Sequence, residues 1–122
     1  MTGGWIAIGA LLCAVSIAAG AFGAHGLRSR LDASALALWE TAARYLMYSG
    51  LAMIAIVLAS RPTGGRLYNL SGLSLLIGAI IFCGTVAILA LGGPRWLGAI
   101  TPIGGILMIV AFVLLALAAM RV

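Results

Sequence analysis

Residues 5–24 read WIAIGALLCAVSIAAGAFGA, a run of twenty residues without a charged side chain. A helix rises about 1.5 Å per residue, so such a run is about 30 Å long and crosses the hydrocarbon core of a bilayer. Three more apolar runs follow, at about 41–59, 68–91 and 97–120, and short segments rich in Gly, Pro and Arg separate them. The sequence therefore predicts an all-α membrane protein, a four-transmembrane-helix bundle with short loops that forms a single domain over residues 1–122.

The composition supports this class of protein. Hydrophobic residues make up 65% of the chain and charged residues only 7%, and the mean hydropathy is +1.27. A soluble domain of this length has no core large enough to bury that much apolar surface. The net charge of +5 comes from seven arginines against two acidic residues. Because the arginines lie mainly at the ends of the spans, we expect them to contact membrane lipids and not nucleic acid.

The orientation in the membrane is left open by the positive-inside rule. Four spans place both termini on one side of the membrane, and the arginines divide almost evenly between the two sides. One side carries Arg61, Arg66 and Arg121, and the other carries Arg28, Arg30 and Arg95, with Arg44 just inside the second span.

Glycines at the end of the first span predict close packing and a helix cap. Gly20 belongs to a stripe of small residues that recurs every four positions, where another helix can approach. Gly20, Gly23 and Gly26 surround His25, and a glycine just past a helix end adopts the left-handed cap conformation at little cost. We therefore expect the first helix to end in this segment.

The start of the fourth span has two possible positions. A helix that begins at Trp96 is interrupted by Pro102 in its second turn, whereas a helix that begins at Pro102 has the proline in its preferred first-turn position. We favour a bent or re-entrant start around Thr101 and Pro102, with Gly104 and Gly105 allowing a neighbouring helix to approach.

Five polar residues form the candidate polar site, and helix counting puts all of them on one side of the membrane: His25, Asp32, Glu40, Arg44 and Thr101. Histidine is a common proton relay and ligand, and ionisable residues within spans are functional candidates. Each also has a structural interpretation, which we favour. His25 is placed to bond free carbonyls at a helix end, Asp32 or Ser34 to cap the second helix, and Glu40 to form an ion pair with Arg44 four residues later.

No set of residues predicts an enzyme, a metal site or a cofactor. The chain offers no paired nucleophile and base, no set of metal ligands and no phosphate-binding loop. Cys13 and Cys83 fall inside spans without the spacing of a metal site, so we interpret them as small apolar residues.

Several motifs distributed along the whole chain resemble the DUF423 family, also called UPF0382. The family consists of small four-span membrane proteins of bacteria, to which the eukaryotic transmembrane protein 256 is similar. The resemblance implies a four-helix bundle in the bacterial plasma (inner) membrane with no established activity. The motifs are GAFGAHGL at 20–27, WETA at 39–42 with Tyr45, Gly78 with FCG at 82–84, and LGAITPIGG at 97–105.

The chain departs from the family pattern at two places. Ser49 stands where the family usually has a histidine, and Ala111 and Phe112 stand where Gly-Trp is common. If the family uses that histidine to transfer protons or bind metal, this chain does not do so in the same way.

Two functional hypotheses follow. The first is a structural, accessory or lipid- or small-ligand-binding bundle, with membrane lipids, a second copy or another membrane protein as its partner. The alternative is an oligomeric transporter or channel for protons or a small solute, with the candidate polar site as its mouth. In that alternative the hydroxyl groups in the spans line the path: Ser16, Ser49, Ser74 and Thr85.

Overall fold

A computed structural model describes residues 3–62 and 64–121. Over these residues the chain is all-α, and each of its four long helices is long and apolar enough to cross a membrane. This confirms the predicted class. The helices are α1 (Gly3–Phe22), α2 (Ala33–Ser60), α3 (Arg66–Ala90) and α4 (Leu97–Met120), and a π-helical turn, Gly23–Leu27, extends α1.

The helix boundaries follow local sequence signals. Asp32 caps α2, because its Oδ1 accepts the backbone N–H of Ala35 at 2.8 Å and the Ser34 hydroxyl at 3.0 Å. Between α2 and α3 the chain reverses through Gly64 and Gly65, with φ of 63° and 121°, which side chains rarely tolerate. Capping and turn chemistry therefore set these ends as expected.

The helices pack in the order of the chain. α1 packs on α2, α2 on α3, and α3 on α4, with a smaller contact between α2 and α4. Among the described residues, no Cα atom of α1 comes within 8 Å of α3 or α4. Consequently α1 is held by α2, and a gap lies between α1 and α3 above the surface of α2.

Pairs of glycines bring neighbouring backbones together at two interfaces. A Cβ atom added to Gly9 of α1 would lie 2.7 Å from the carbonyl oxygen of Gly50 in α2. One added to Gly78 of α3 would lie 2.8 Å from the carbonyl oxygen of Gly104 in α4. Because glycine has no side chain, the helices approach more closely there than any other residue permits. Gly105 makes only an ordinary contact, in which an added Cβ lies 3.8 Å from Cδ2 of Phe82.

Serine hydroxyls reinforce the same interfaces. Ser16 in α1 donates to the carbonyl of Ala43 in α2. Ser71 and Ser74 of α3 donate to two carbonyls of α4, Ala111 and Leu107, each at 2.7 Å. Each bond satisfies a hydroxyl that would otherwise be costly to place in an apolar environment.

The glycines at the end of α1 act differently from our expectation. The prediction of a left-handed cap is wrong, because φ is positive only at Gly64, Gly65 and Gly92 in the described part of the chain. The π-helical turn continues from α1 in a right-handed conformation. Gly23 instead gives room to the Trp39 ring, and Gly26 gives room to the Phe22 ring. Gly20 is not a packing position, because an added Cβ would meet no heavy atom within 4 Å.

The prediction of a re-entrant start for the fourth span is also wrong. α4 begins at Leu97 and continues as a helix through Pro102. The chain enters it through short-range bonds from the Leu97 N–H to the Pro94 carbonyl and from the Gly98 N–H to the Arg95 carbonyl. Bonds of this i to i−3 type form a tight turn just before the helix. Pro102 lies in the second turn of α4, and the helix continues through it.

Candidate functional site

The candidate polar site lies at one end of the molecule, which we call the His25 end. His25 is exposed in the π-helical turn, and Glu40 is exposed in the second turn of α2. The predicted ion pair with Arg44 is wrong. Within the described residues Glu40 has no cationic partner, and Arg44 donates to the Thr41 hydroxyl at 3.4 Å. A flexible pair at an exposed position gains too little from association to hold one geometry.

The remaining two members have structural bonds of their own. Asp32 caps α2, and Thr101 shares a 2.6 Å hydrogen bond with Thr85 of α3. No hydrogen bond or ion pair joins any two of the five candidate residues in the part of the chain that is described. A joint role for them stays a prediction.

The electrostatics of the Asp32 cap are well defined. The backbone N–H of Ala35, and after it the Ser34 hydroxyl, hold the pKa of Asp32 below its ordinary value. A carboxyl whose pKa is lower in the folded state stabilises the fold at pH values above its unfolded-state pKa. That contribution is lost as the pH falls through the folded-state pKa.

This cap makes a testable prediction. Asp32→Asn keeps a good capping acceptor but does not titrate, whereas Asp32→Ala removes the acceptor. We expect the wild-type protein to lose melting temperature more steeply than Asp32→Asn as the pH falls below about 5, and Asp32→Ala to melt lower at neutral pH. Thermal melts in detergent followed by circular dichroism measure both effects. Equal acid sensitivity in the wild type and Asp32→Asn would contradict the assignment.

The hydroxyl groups proposed for a transport path are bonded to backbone carbonyls, two of them on a neighbouring helix and two on their own helix. Each donates to a backbone carbonyl, so its proton is already committed inside the protein. The bonds run from Ser16 to Ala43, from Ser49 to Tyr45, from Ser74 to Leu107 and from Thr85 to Ile81.

Metal-binding side chains do not gather in the structure. Over residues 3–62 and 64–121 no group of three or more His, Cys, Asp or Glu side chains is placed to hold a metal ion. Cys13 and Cys83 are both free thiols, on α1 and α3 respectively.

An apolar groove lies in the gap between α1 and α3, and we call it the α1/α3 groove. It has a volume of about 350 Å³, and α2 forms its floor. Volumes of this order are typical of small-molecule sites. Its walls are Leu12, Val15 and Ala19 from α1, Trp39, Ala42, Ala43 and Leu46 from α2, and Ala79, Ile80, Cys83, Gly84 and Ala87 from α3.

Trp39 is positioned to keep this groove apolar. Its indole N–H donates to the carbonyl of Ala19 at 2.8 Å, and its ring meets Phe22 edge to face at 6.2 Å. The only polar atom of the side chain is therefore bonded within the protein. Along α1 the groove extends from Leu12 to Ala19, which is about 10 Å at 1.5 Å per residue.

This groove could not be predicted from the order of residues along the chain. Its floor and walls are rich in small residues, such as Ala42, Ala43 and Gly84, but similar residues occur throughout the four spans. What creates the groove is the absence of contact between α1 and α3, and helix periodicity carries no information on that separation.

Comparisons with known proteins agree with the membrane fold. UPF0382 membrane proteins of three staphylococci align with nearly the full chain. That of Staphylococcus saprophyticus is 42% identical over 118 residues, covering 97% of this chain and 98% of the relative. Those of Staphylococcus epidermidis and Staphylococcus haemolyticus are 41% and 42% identical over 117 residues, each covering 96% of this chain and 95% of the relative.

The family model described as a protein of unknown function, DUF423, matches residues 19–105. No solved structure matches the chain. The matched segment runs from the end of α1 into α4, so it includes the groove floor, the His25 end and the Gly104 contact. This chain is therefore an integral membrane protein of the DUF423 family, also called UPF0382.

Proposed function

We propose that this protein is a non-enzymatic lipid-binding protein of the bacterial plasma membrane, and that the α1/α3 groove holds an acyl chain. The observation that carries the proposal is the groove itself, which is almost wholly apolar and opens within the membrane-spanning part of the chain. An apolar groove at this depth favours an apolar occupant, because an unpaired polar group there would lose its hydration.

The shape of the groove favours an acyl chain over a helix from a second copy. Its length of about 10 Å is roughly a third of the hydrocarbon thickness that a transmembrane helix must cross. A partner helix would need a contact surface along most of the span. An acyl chain needs only a short apolar channel.

The charge at the adjacent end favours a lipid with an anionic headgroup. The groove approaches the His25 end at Ala19 and Trp39, and the same end carries Arg28, Arg30 and Arg44. All three arginines are exposed and able to contact phosphate. An anionic phospholipid combines an acyl chain with a phosphate and so complements both features.

Filling the groove is expected to weaken lipid binding without harming the fold. Gly84 lines the groove, and an added Cβ would meet no heavy atom within 4 Å, so Gly84→Leu places a side chain in the groove with no backbone clash. Gly98→Leu is the matched control, because Gly98 also faces open space but lies outside the groove. Both variants should fold, since leucine has the higher helix propensity.

The measurement is a thermal-shift titration in detergent with phosphatidylglycerol. A lipid present at 100 times its Kd stabilises the folded state by about 2.7 kcal/mol, which is a readily measured shift in melting temperature. We expect the full shift in the wild type and in Gly98→Leu, and a clearly smaller shift in Gly84→Leu. Equal shifts in all three proteins, or no shift in the wild type, would refute the proposal. Cross-linked dimers that Gly84→Leu disrupts, without any change in the response to lipid, would also refute it.

A further inference from the structure

A second cavity lies at the end of the molecule opposite His25. It has a volume of about 290 Å³ and sits between the turn that follows α2, the start of α3 and the end of α4. We call it the α3 N-terminal cavity. Its polar lining residues are Gly64 and Gly65 in the turn, Arg66 and Tyr68 in α3, and Arg121 after α4.

The start of α3 presents unused hydrogen-bond donors to this cavity. The N-cap is Gly65, so no side chain caps the helix, and the first turn contains no acidic residue. The first backbone bond of the helix is donated by Asn69 to the Gly65 carbonyl. The three preceding N–H groups, which belong to residues 66–68, therefore have no helical acceptor and carry the partial positive charge of the helix terminus.

Tyr68 independently indicates a ligand. Its side chain is only 4% exposed, yet its hydroxyl has no hydrogen-bond partner among the described residues. Its neighbours in the core are apolar, including Met53, Leu75 and Ala118. The hydroxyl retains some accessible surface. Tyr68 is one of the residues that line the cavity. A buried phenol normally bonds a partner, so the cavity is where that partner belongs.

The charged side chains at this end all have the same sign in the described part of the chain. Arg66 and Arg121 line the cavity, and Arg61 lies nearby at the end of α2. The only acidic side chains of the protein, Asp32 and Glu40, lie at the His25 end. No side-chain carboxylate is therefore available to neutralise these arginines locally, and the site selects for an anion.

We propose that the α3 N-terminal cavity binds a phosphate group, held by the guanidinium groups of Arg66 and Arg121, the N–H groups at the start of α3 and the Tyr68 hydroxyl. Arginine offers paired N–H donors that match phosphate oxygens, and a helix N-terminus with free amides is a common anion site. Gly64 and Gly65 leave the backbone uncovered. The cavity lies at the end of the spans, so the group is supplied by a lipid headgroup or by free phosphate.

The test uses the full-length protein in dodecyl maltoside, a detergent without phosphate. Inorganic phosphate and micelles doped with phosphatidic acid are titrated separately, and sodium chloride at equal ionic strength serves as the reference because salt alone screens charges. The variants are Tyr68→Phe and Arg66→Gln. Arg61→Gln is the matched control, since it removes an arginine from the same end that does not line the cavity.

We expect one or both probes to raise the melting temperature of the wild type. Tyr68→Phe should weaken binding about tenfold or more, as loss of a hydrogen bond to a charged group does, and Arg66→Gln should weaken it further. Without ligand, Tyr68→Phe should be as stable as the wild type because it keeps the core packing. Arg61→Gln should remain within about twofold of the wild type in affinity.

The two sources of phosphate separate in this experiment. A response to inorganic phosphate identifies a site for the free anion. A response to phosphatidic acid alone identifies a headgroup site when Gly84→Leu retains it and Tyr68→Phe weakens it. Either supports the proposal. The proposal would be overturned if neither probe raised the melting temperature, or if Arg61→Gln and Arg66→Gln weakened binding equally. Gly84→Leu, which fills the α1/α3 groove, should leave the response of the α3 N-terminal cavity intact. The phosphate site and the acyl-chain proposal are therefore tested independently.

Discussion

Gly104→Ala is expected to destabilise the protein strongly, whereas Gly105→Ala, one residue along the same helix, is expected to leave it as stable as the wild type or slightly more so. The alanine Cβ at position 104 would lie 2.5 Å from the backbone nitrogen of Phe82 and 2.8 Å from the carbonyl oxygen of Gly78. Both atoms belong to the backbone of α3 and cannot rotate away. The two helices must therefore move apart.

The separation of α3 and α4 would also strain the hydrogen bonds across their interface. Ser71 and Ser74 each donate to a carbonyl of α4 at 2.7 Å, and a longer distance would weaken both bonds. Overpacking of a well-packed contact costs about 1–3 kcal/mol in the free energy of unfolding. We expect Gly104→Ala to reach the upper part of this range, because the obstructing atoms are main-chain atoms.

The measurement is unfolding by sodium dodecyl sulfate titration, followed by circular dichroism. At position 105 an added Cβ meets only Cδ2 of Phe82 at 3.8 Å, an ordinary contact. Gly105→Ala should therefore not lower the free energy of unfolding, and the higher helix propensity of alanine should raise it by up to about 1 kcal/mol. Equal stability of the two variants would show that the close approach of α3 and α4 at Gly104 does not hold the fold together.

Gly50→Ala is expected to release α1 while the other three helices stay packed. The new Cβ would lie 2.6 Å from the Gly9 carbonyl oxygen and 2.6 Å from the Cys13 sulfur, both on α1. Among the described residues no Cα atom of α1 lies within 8 Å of α3 or α4, so its packing depends mainly on α2. The result should be local opening rather than global unfolding.

Limited trypsin digestion reports this opening at Arg28 and Arg30, in the segment between α1 and α2. Each 1.4 kcal/mol of lost packing raises the open population about tenfold, so cleavage should accelerate by about that factor or more. Gly20→Ala is the control, since an added Cβ there meets no heavy atom within 4 Å. Helical content by circular dichroism should remain near wild type, and concerted loss of all helical signal would contradict local release.

The same variant links the fold to the α1/α3 groove. Release of α1 removes Leu12, Val15 and Ala19 from the groove wall. Binding of phosphatidylglycerol should therefore weaken in Gly50→Ala, while the response of the α3 N-terminal cavity to phosphate persists, because α1 contributes none of the residues that line it.

The spans and their ends could be predicted from the sequence because they depend on local properties. Hydrophobic length determined the four helices, and Asp32 identified the start of α2 through the capping chemistry of its own side chain. The reversal at Gly64 and Gly65 followed from the freedom of glycine to adopt positive φ. Each of these features involves residues close together in the chain.

The packing could not be predicted because every helix is apolar on all sides. In a soluble helix a polar face shows which side meets the solvent, but a lipid-exposed face resembles a protein-facing one. Gly20 and Gly104 therefore looked alike in sequence, although one faces open space and the other touches the backbone of α3. Glu40 and Arg44 have the spacing of an ion pair, yet Arg44 bonds Thr41.

The sequence by itself determined that this is a four-span, all-α membrane protein of the DUF423 family, since hydrophobic length and short motifs are properties of the linear chain. Only the tertiary structure decided that the helices pack in chain order, that α1 and α3 leave a groove between them, and that Tyr68 joins Arg66 and Arg121 around a second cavity. These features arise where residues from different helices meet, and such meetings depend on small differences in shape that no periodic pattern records.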